Sequence, residues 1–188
     1  VTTTAVAVST LAERRDAWLA ARRKCITATD VGKLFNVGRG GPMAVWLDKT
    51  GKAPETADNP AMRFGRRFER PILEEYADRM QVGLEMADSF TLLRSPNGMV
   101  GATLDARRMD DRRPVDAKNI GFRSDEYGEP GSDVIPLSYA LQLQVQMMVT
   151  GAELADLAVL FNRYDFVPYT VRRDELVQER IIEVAATF

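Results

Sequence analysis

Asp105, Asp116 and Lys118 are the residues whose types and spacing offer chemistry. Asp105 closes one extended apolar stretch, and Asp116-Ala-Lys118 lies in the next. Side chains alternate across a strand, so Asp116 and Lys118 project from one face. Pairing the two strands across the basic segment 107–113 brings Asp105 beside them. Two carboxylates and an ammonium suit phosphodiester hydrolysis with a divalent cation. The carboxylates hold the ion, the ion lowers the pKa of a bound water, and the lysine positions that water or offsets developing charge. The same Asp…Asp-x-Lys pattern also fits a solvated strand edge carrying an Asp–Lys pair.

Absences narrow the choice. The 188 residues include no histidine, which removes Ser-His-Asp triads, Cys-His dyads and His-ligated zinc. A single cysteine, Cys25, allows no all-cysteine zinc site, Cys-ligated cluster or internal disulfide, and reads as a small buried residue. A metal here must be oxygen-ligated, which favours Mg2+, with Mn2+ as its substitute. No G-x-G-x-x-G or Walker A sequence supports a nucleotide cofactor. Net charge is −2, from 25 basic and 27 acidic residues, so a generally basic nucleic-acid binder is not indicated. Basic residues nonetheless cluster at 22–24, at Arg63, Arg66, Arg67 and Arg70, and at 107–113, as solvated faces or as a local phosphate-binding groove.

The elements that must position these groups read as one α/β domain spanning 1–188, with a loose leader at 1–8. Hydrophobic content of 45% describes an ordinary globule, and no apolar run reaches the roughly 18 residues of a membrane span. No secretory signal pattern is present, so a cytoplasmic location is expected. Thr10-Leu-Ala-Glu13 is a capping box opening a helix through about residue 23, and Thr27-Ala-Thr-Asp30 starts a short helix that stops near Gly38. A third helix covers 43–50, and 52–59 is a polar loop. Phe64, Phe68, Ile72, Leu73 and Tyr76 make one apolar stripe of a helix over 61–79, with a kink expected at Pro71 inside it. Trp18, Trp46 and Phe64 are expected in the core. A hairpin at 89–94 and 99–105 and a strand at 114–119 follow. The segment 136–151 alternates with period two at its glutamines, yet its flanking proline and glycine and its length suit a helix. A second hairpin at 154–161 and 166–172 and a helix capped by Asp174 complete a layered fold with one central mixed sheet.

Five blocks, in order, resemble the YqaJ and phage-lambda-exonuclease family within the PD-(D/E)XK nucleases. Arg22 with Ile26-Thr-Ala-Thr-Asp30 is similar to its Arg…ITAS segment, and Phe64-Gly-Arg-Arg-Phe-Glu69 to its aromatic-Gly-x-x-aromatic-Glu helix. Gly101-Ala-Thr-Leu-Asp105 stands where the family has a Pro-Asp-Gly strand, and Val115-Asp-Ala-Lys118 where it has Glu-x-Lys. Tyr139-x-x-Gln142-x-Gln144 resembles its Tyr-x-x-Gln-x-Gln helix. Asp116 replaces the usual Glu, Leu104 the usual Pro and Thr29 the usual Ser, and none of these changes removes a ligand outright.

The resemblance implies a restriction-endonuclease-like core with a mixed sheet flanked by helices, and residue roles follow position by position. Asp105, Asp116 and the Ala117 carbonyl bind Mg2+, Lys118 is the catalytic lysine, and Glu69 adds a carboxylate toward a second metal. Gln142 orients near the active-site water or the scissile phosphate, supported by Tyr139 and Gln144. Arg22, Thr29 and Arg123 contact a 5′-terminal phosphate. The activity implied is hydrolysis of the 5′-ended strand of linear double-stranded DNA, leaving 3′ tails for recombination by annealing. Implied with it are a homotrimeric ring, a single-strand annealing partner, and a bacterial or phage-infected host cell. The alternatives are a structure-selective or single-strand endonuclease on the same fold, and a non-catalytic DNA-end-binding module.

Overall fold

A computed structural model describes residues 10–54 and 59–188. The leader at 1–8 and residues 55–58 of the polar loop lie outside the described residues. Helix α1 (Leu11–Arg23) opens on the capping box read in the sequence: the Glu13 amide donates to the Thr10 hydroxyl, and the Thr10 amide donates to the Glu13 carboxylate at 2.6 Å. These contacts satisfy two of the amides that a helix start leaves unpaired. In α2 (Ala28–Leu34), Asp30 accepts from both the amide and the hydroxyl of Thr27. This helix stops before Gly38, because Asn36 turns to φ 59° and the Val37 and Gly38 amides fold back onto the Gly32 carbonyl at 2.9 Å. Helix α3 (Gly41–Lys49) begins earlier than the sequence reading, with Pro42 in its first turn.

Helix α4 (Pro60–Met80) runs unbroken through Pro71. Helix α5 (Leu137–Thr150) settles the ambiguous glutamine segment, and Gly151 at φ 72° ends it in the left-handed region. Helix α6 (Glu175–Thr187) is capped by Asp174, which accepts from the Val177 amide at 3.1 Å.

The strands form two sheets rather than the single central one expected. In one sheet, β4 (Val100–Ala102) lies between the parallel β1 (Ile26–Thr27) and the antiparallel β3 (Leu93–Arg94). The other has the order β2 (Leu84–Met86), β5 (Ala106–Arg108), β6 (Pro114–Ile120), β7 (Leu154–Phe161), β8 (Asp165–Arg172). The chain leaves extended pairing between Ala102 and Ala106 and changes sheets there, so the second arm of the expected hairpin divides between β4 and β5. The first two residues of the expected basic loop, Arg107 and Arg108, belong to strand β5, and the rest turns into β6 with Arg112 at φ 64°. Gly101 is required in β4, since a Cβ there would stand 2.9 Å from the Leu93 carbonyl oxygen and 3.0 Å from the Cys25 sulfur.

Strands β6 and β7 are parallel, and α5 supplies the crossover such a pair needs. Leu143 and Met147 of α5 pack with Leu157, Val159 and Phe161 on one face of the larger sheet. Ile72, Leu73 and Tyr76 of α4 pack with Ala106, Val115 and Ala158 on the other. The apolar stripe of α4 is therefore only half core. Phe68 is half-buried and Phe64 is 52% exposed, because the first turns of α4 outrun the strands. Trp46 is likewise 41% exposed, contrary to expectation, and Trp18 is half-buried with its indole donating to Thr103 at 2.8 Å. Among the described residues no helix is long and apolar enough to cross a membrane.

Candidate active site

The change of sheet after β4 delivers Asp105 to the exposed edge of β6, where its Oδ2 accepts from the Ala117 amide at 2.9 Å. N–H and C=O of one strand residue point to the same edge, so the Ala117 carbonyl opens toward Asp105 as well. The neighbouring side chain, Asp116, is 2% exposed and carries three donors. Lys118 Nζ bonds Oδ2, while Gln142 Nε2 and Gln146 Nε2 each bond Oδ1 at 2.7 Å. The Lys118 ammonium also lies 5.4 Å from the centre of the Tyr139 ring. Asp116 and Lys118 thus share the α5-facing side of β6, as strand alternation requires.

Electrostatics bind the group together. Burial, and next the charge of Asp116, push the Asp105 carboxyl up to about 7; Lys118 opposes this and Glu69 adds to it. Burial and then Asp116 also raise Glu69, again against Lys118, so the α4 carboxylate feels the charges of the same site. For Lys118 burial disfavours the charge, but Asp116 and Asp105 outweigh it and the ammonium is held above its ordinary range. Three carboxyls therefore share one ammonium.

Oxygen donors under mutual repulsion are the surroundings in which a hard divalent cation is held. Among the described residues no group of three or more His, Cys, Asp or Glu side chains is gathered closely enough to hold a metal alone. Asp105, Asp116 and the Ala117 carbonyl would hold such an ion with water and substrate oxygens completing its shell, a habit typical of Mg2+. The residues present fit the ion.

A second cluster forms around α2. Arg22 Nη2 lies 3.4 Å from the Thr29 hydroxyl and 3.5 Å from that of Thr27, and the two hydroxyls are 3.2 Å apart. The guanidinium is steadied over the Trp18 ring at 4.5 Å. Lys49 reaches in from α3, bonding Asp30 at 2.6 Å and the Arg22 carbonyl at 3.0 Å. Burial pushes Asp30 up, but Lys49 and the Thr27 donors outweigh it and hold the carboxyl below its usual range. Arg22 and the Thr29 hydroxyl are left to offer an anion donors, while the Thr27 proton and the Lys49 ammonium are engaged by Asp30. The register of β1, Thr27 opposite Gly101, ties this cluster to the strand that leads into Asp105.

Of the residues singled out in the sequence, the structure brings together Asp105, Asp116, Ala117, Lys118, Glu69, Gln142 and Tyr139 at one site, and Arg22 and Thr29 at the other. Arg123 is held elsewhere, donating to the Gly128 carbonyl and lying over the Phe161 ring at 5.6 Å. Gln144 faces away from the carboxylates. It donates to the Arg172 carbonyl at 2.9 Å and accepts from the Asp174 amide at 3.0 Å, tying α5 to β8 and α6. Gln146 was missed, although its spacing of four from Gln142 places both on one helical face. Thr27 was legible only as a cap, and no local spacing links Lys49 to Asp30.

Residues 17–153 match the family model of the YqaJ-like viral recombinase domain. Over 179 residues the chain is 28% identical to the YqaJ protein of Bacillus subtilis (strain 168), covering 93% of this chain and 55% of that one. The chain thus spans about half the length of that relative. Its fold is similar to an alkaline exonuclease, LHK-Exo, from Laribacter hongkongensis, with a TM-score of 0.67 and 18% identity over 92% of this chain and 89% of that one. LHK-Exo in complex with dAMP gives a TM-score of 0.70 at the same identity and coverage. A phage-related exonuclease from Haemophilus somnus 129PT gives 0.60 and 10% identity, over 86% and 90% of the two chains.

Proposed function

The chain belongs to the YqaJ-like viral recombinase family, and from that premise we propose that it is a divalent-metal-dependent deoxyribonuclease. It hydrolyses the 5′-ended strand of linear duplex DNA in the 5′-to-3′ direction and leaves 3′ single-stranded tails for recombination by annealing. The observation that carries the reading is the convergence of Asp105, Asp116 and Lys118, with Gln142 and Gln146 both spent on Asp116.

Mg2+, when bound, supplies positive charge beside the scissile phosphate and a water of lowered pKa. The chain's own residues do the rest. Gln142 and Gln146 fix the orientation of the Asp116 carboxylate, and the Ala117 amide fixes that of Asp105. Lys118, kept protonated by its neighbours, is a donor rather than a base; it offsets charge on the phosphoryl oxygens as attack proceeds. Glu69 adds a carboxylate. Arg22 and Thr29, positioned by the Thr27–Asp30–Lys49 contacts, form the receptor for a 5′-terminal phosphate, which makes the end rather than the interior of a strand the preferred substrate. The same reading carries a homotrimeric ring around the duplex and a single-strand annealing partner. Light scattering tests the ring, and a strict monomer overturns it.

The test of the activity is digestion of linear duplex DNA with Mg2+, comparing 5′-phosphorylated with 5′-hydroxyl ends and wild type with Lys118→Ala. A closed circle of the same sequence is the control. Nucleotide release from the phosphorylated linear form, lost in the variant, is the result expected. Cutting of the circle replaces the exonuclease with an endonuclease. Tight end binding without cleavage in Mg2+ or Mn2+ makes the chain a non-catalytic end-binding module.

A further inference from the structure

Beside the carboxylates, the first turns of α4 stand off the sheet and leave a groove of about 1030 Å3. Its walls are aromatic: Phe64 and Phe68 from α4 face Tyr164 from the β7–β8 turn across a floor of Asn119 and Gly121. The two phenylalanines are stacked, with ring centres 6.1 Å apart and planes 24° from parallel. Phe64 is 52% exposed and Tyr164 82%, so neither ring is used by the core. Tyr164 is held out by an unusual turn, since Asn162 and Arg163 both take positive φ, at 51° and 76°. Exposed, clustered aromatic surface of this kind marks a site of interaction.

The charge around the groove selects the partner. Arg163 lines the groove and, like Arg63 and Arg67 of the same helix as the phenylalanines, is exposed and pairs with no carboxylate among the described residues. Flat rings between free guanidinium groups complement alternating bases and phosphates, and every base has a face to stack, whatever the sequence. The groove also abuts the catalytic strand and helix, because Asn119 follows Lys118 and Phe68 precedes Glu69. We propose that this groove binds single-stranded nucleic acid, with unpaired bases stacked on Phe64 and Tyr164 and phosphates held by Arg163 and its neighbours. The inference rests on the nuclease reading for its partner, and its test needs no turnover.

Binding is read by fluorescence anisotropy in EDTA, which silences cleavage. The probes are a labelled oligo(dT) of about 12 nucleotides and an abasic oligomer of equal length and charge. Wild type should prefer oligo(dT), and Phe64→Ala and Tyr164→Ala should each weaken it roughly tenfold while leaving the abasic oligomer unchanged, since the ring is lost and the charge is not. Tyr164→Phe should keep the affinity. Arg163→Ala should weaken both probes and lower the slope of log K against log salt by about 0.7. Both rings are exposed, so unchanged urea midpoints confirm that the alanine variants fold.

Equal affinity of wild type for the two oligomers, or alanine variants that bind oligo(dT) as wild type does, overturns the proposal. A drop in molecular mass for Tyr164→Ala with oligo(dT) binding intact assigns the groove to a second copy of the chain instead. Absence of cleavage by wild type, or its persistence in Lys118→Ala, bears only on the nuclease reading, and so the failures of the two are distinguishable.

Discussion

Replacing Asp105 by Asn should destroy activity and stabilise the protein. The carboxyl is pushed up to about 7, first by burial and then by Asp116, against an unfolded value of roughly 3.9. Three steps at about 1.36 kcal/mol each set a ceiling of about 4 kcal/mol for what the ionised group costs the fold. Residual solvent contact lowers this, so about 2–4 kcal/mol is expected. The sign follows from proton counts. Between pH 4 and 7 the folded state holds a proton that the unfolded state has lost, so stability falls as pH rises through that window and is flat above it. Asn cannot ionise, yet its carbonyl still accepts from the Ala117 amide and its amide faces Asp116. Urea unfolding in EDTA should therefore show Asp105→Asn about 2–4 kcal/mol more stable than wild type at pH 8, with the gap narrowing to about 1 kcal/mol at pH 5. Saturating Mg2+ should then raise the wild-type midpoint and leave the variant's unmoved, because only the intact pair holds the ion. A variant equal to or less stable than wild type at pH 8 refutes the reasoning, since the carboxylates would then not be in conflict.

The glutamines of α5 separate by face. Gln146→Leu removes one donor from the buried Asp116, a hydrogen bond to charge of about 1.5–3 kcal/mol, and should lower the turnover of linear duplex DNA by about tenfold or more. Gln144→Leu should instead cost about 1–3 kcal/mol in urea unfolding while the rate per folded molecule holds, because its partners are the Arg172 carbonyl and the Asp174 amide. Asp30 is held below its ordinary range chiefly by Lys49, against the opposing push of burial. Its contribution to stability is whole above about pH 4 and is lost as pH falls through the depressed folded value. Asp30→Asn should accordingly be less stable than wild type at pH 6, with the gap closing as pH falls below about 4 in the same measurement.

What the sequence made legible is what is local. The Thr10–Glu13 and Thr27–Asp30 boxes, Asp174 before α6, and the Asp116–Lys118 alternation each depend on contacts within a few residues, and each stands where it was placed. Features that depend on distant partners were hidden. Strand β1 is two residues long and exists only because Ile26 and Thr27 find Val100 and Gly101, so no run of β-formers announces it. The change of sheet after Ala102 has the same origin, since β4 and β5 are separated by what their different neighbours offer rather than by a turn signal. Lys49 joins Asp30 through the packing of α3 on α2. Gln146 lies between these cases: a period of two sets it beside Gln144, a period of four beside Gln142, and only the second puts it on the Asp116 carboxylate. The stripe of α4 shows the limit most plainly. Phe64, Phe68, Ile72 and Tyr76 repeat every four residues and are equivalent as a pattern, but the pattern carries no record of where the sheet beneath them ends. Beyond that edge the same spacing that buries Tyr76 leaves Phe64 in the open, and a residue read as core becomes a wall of the groove.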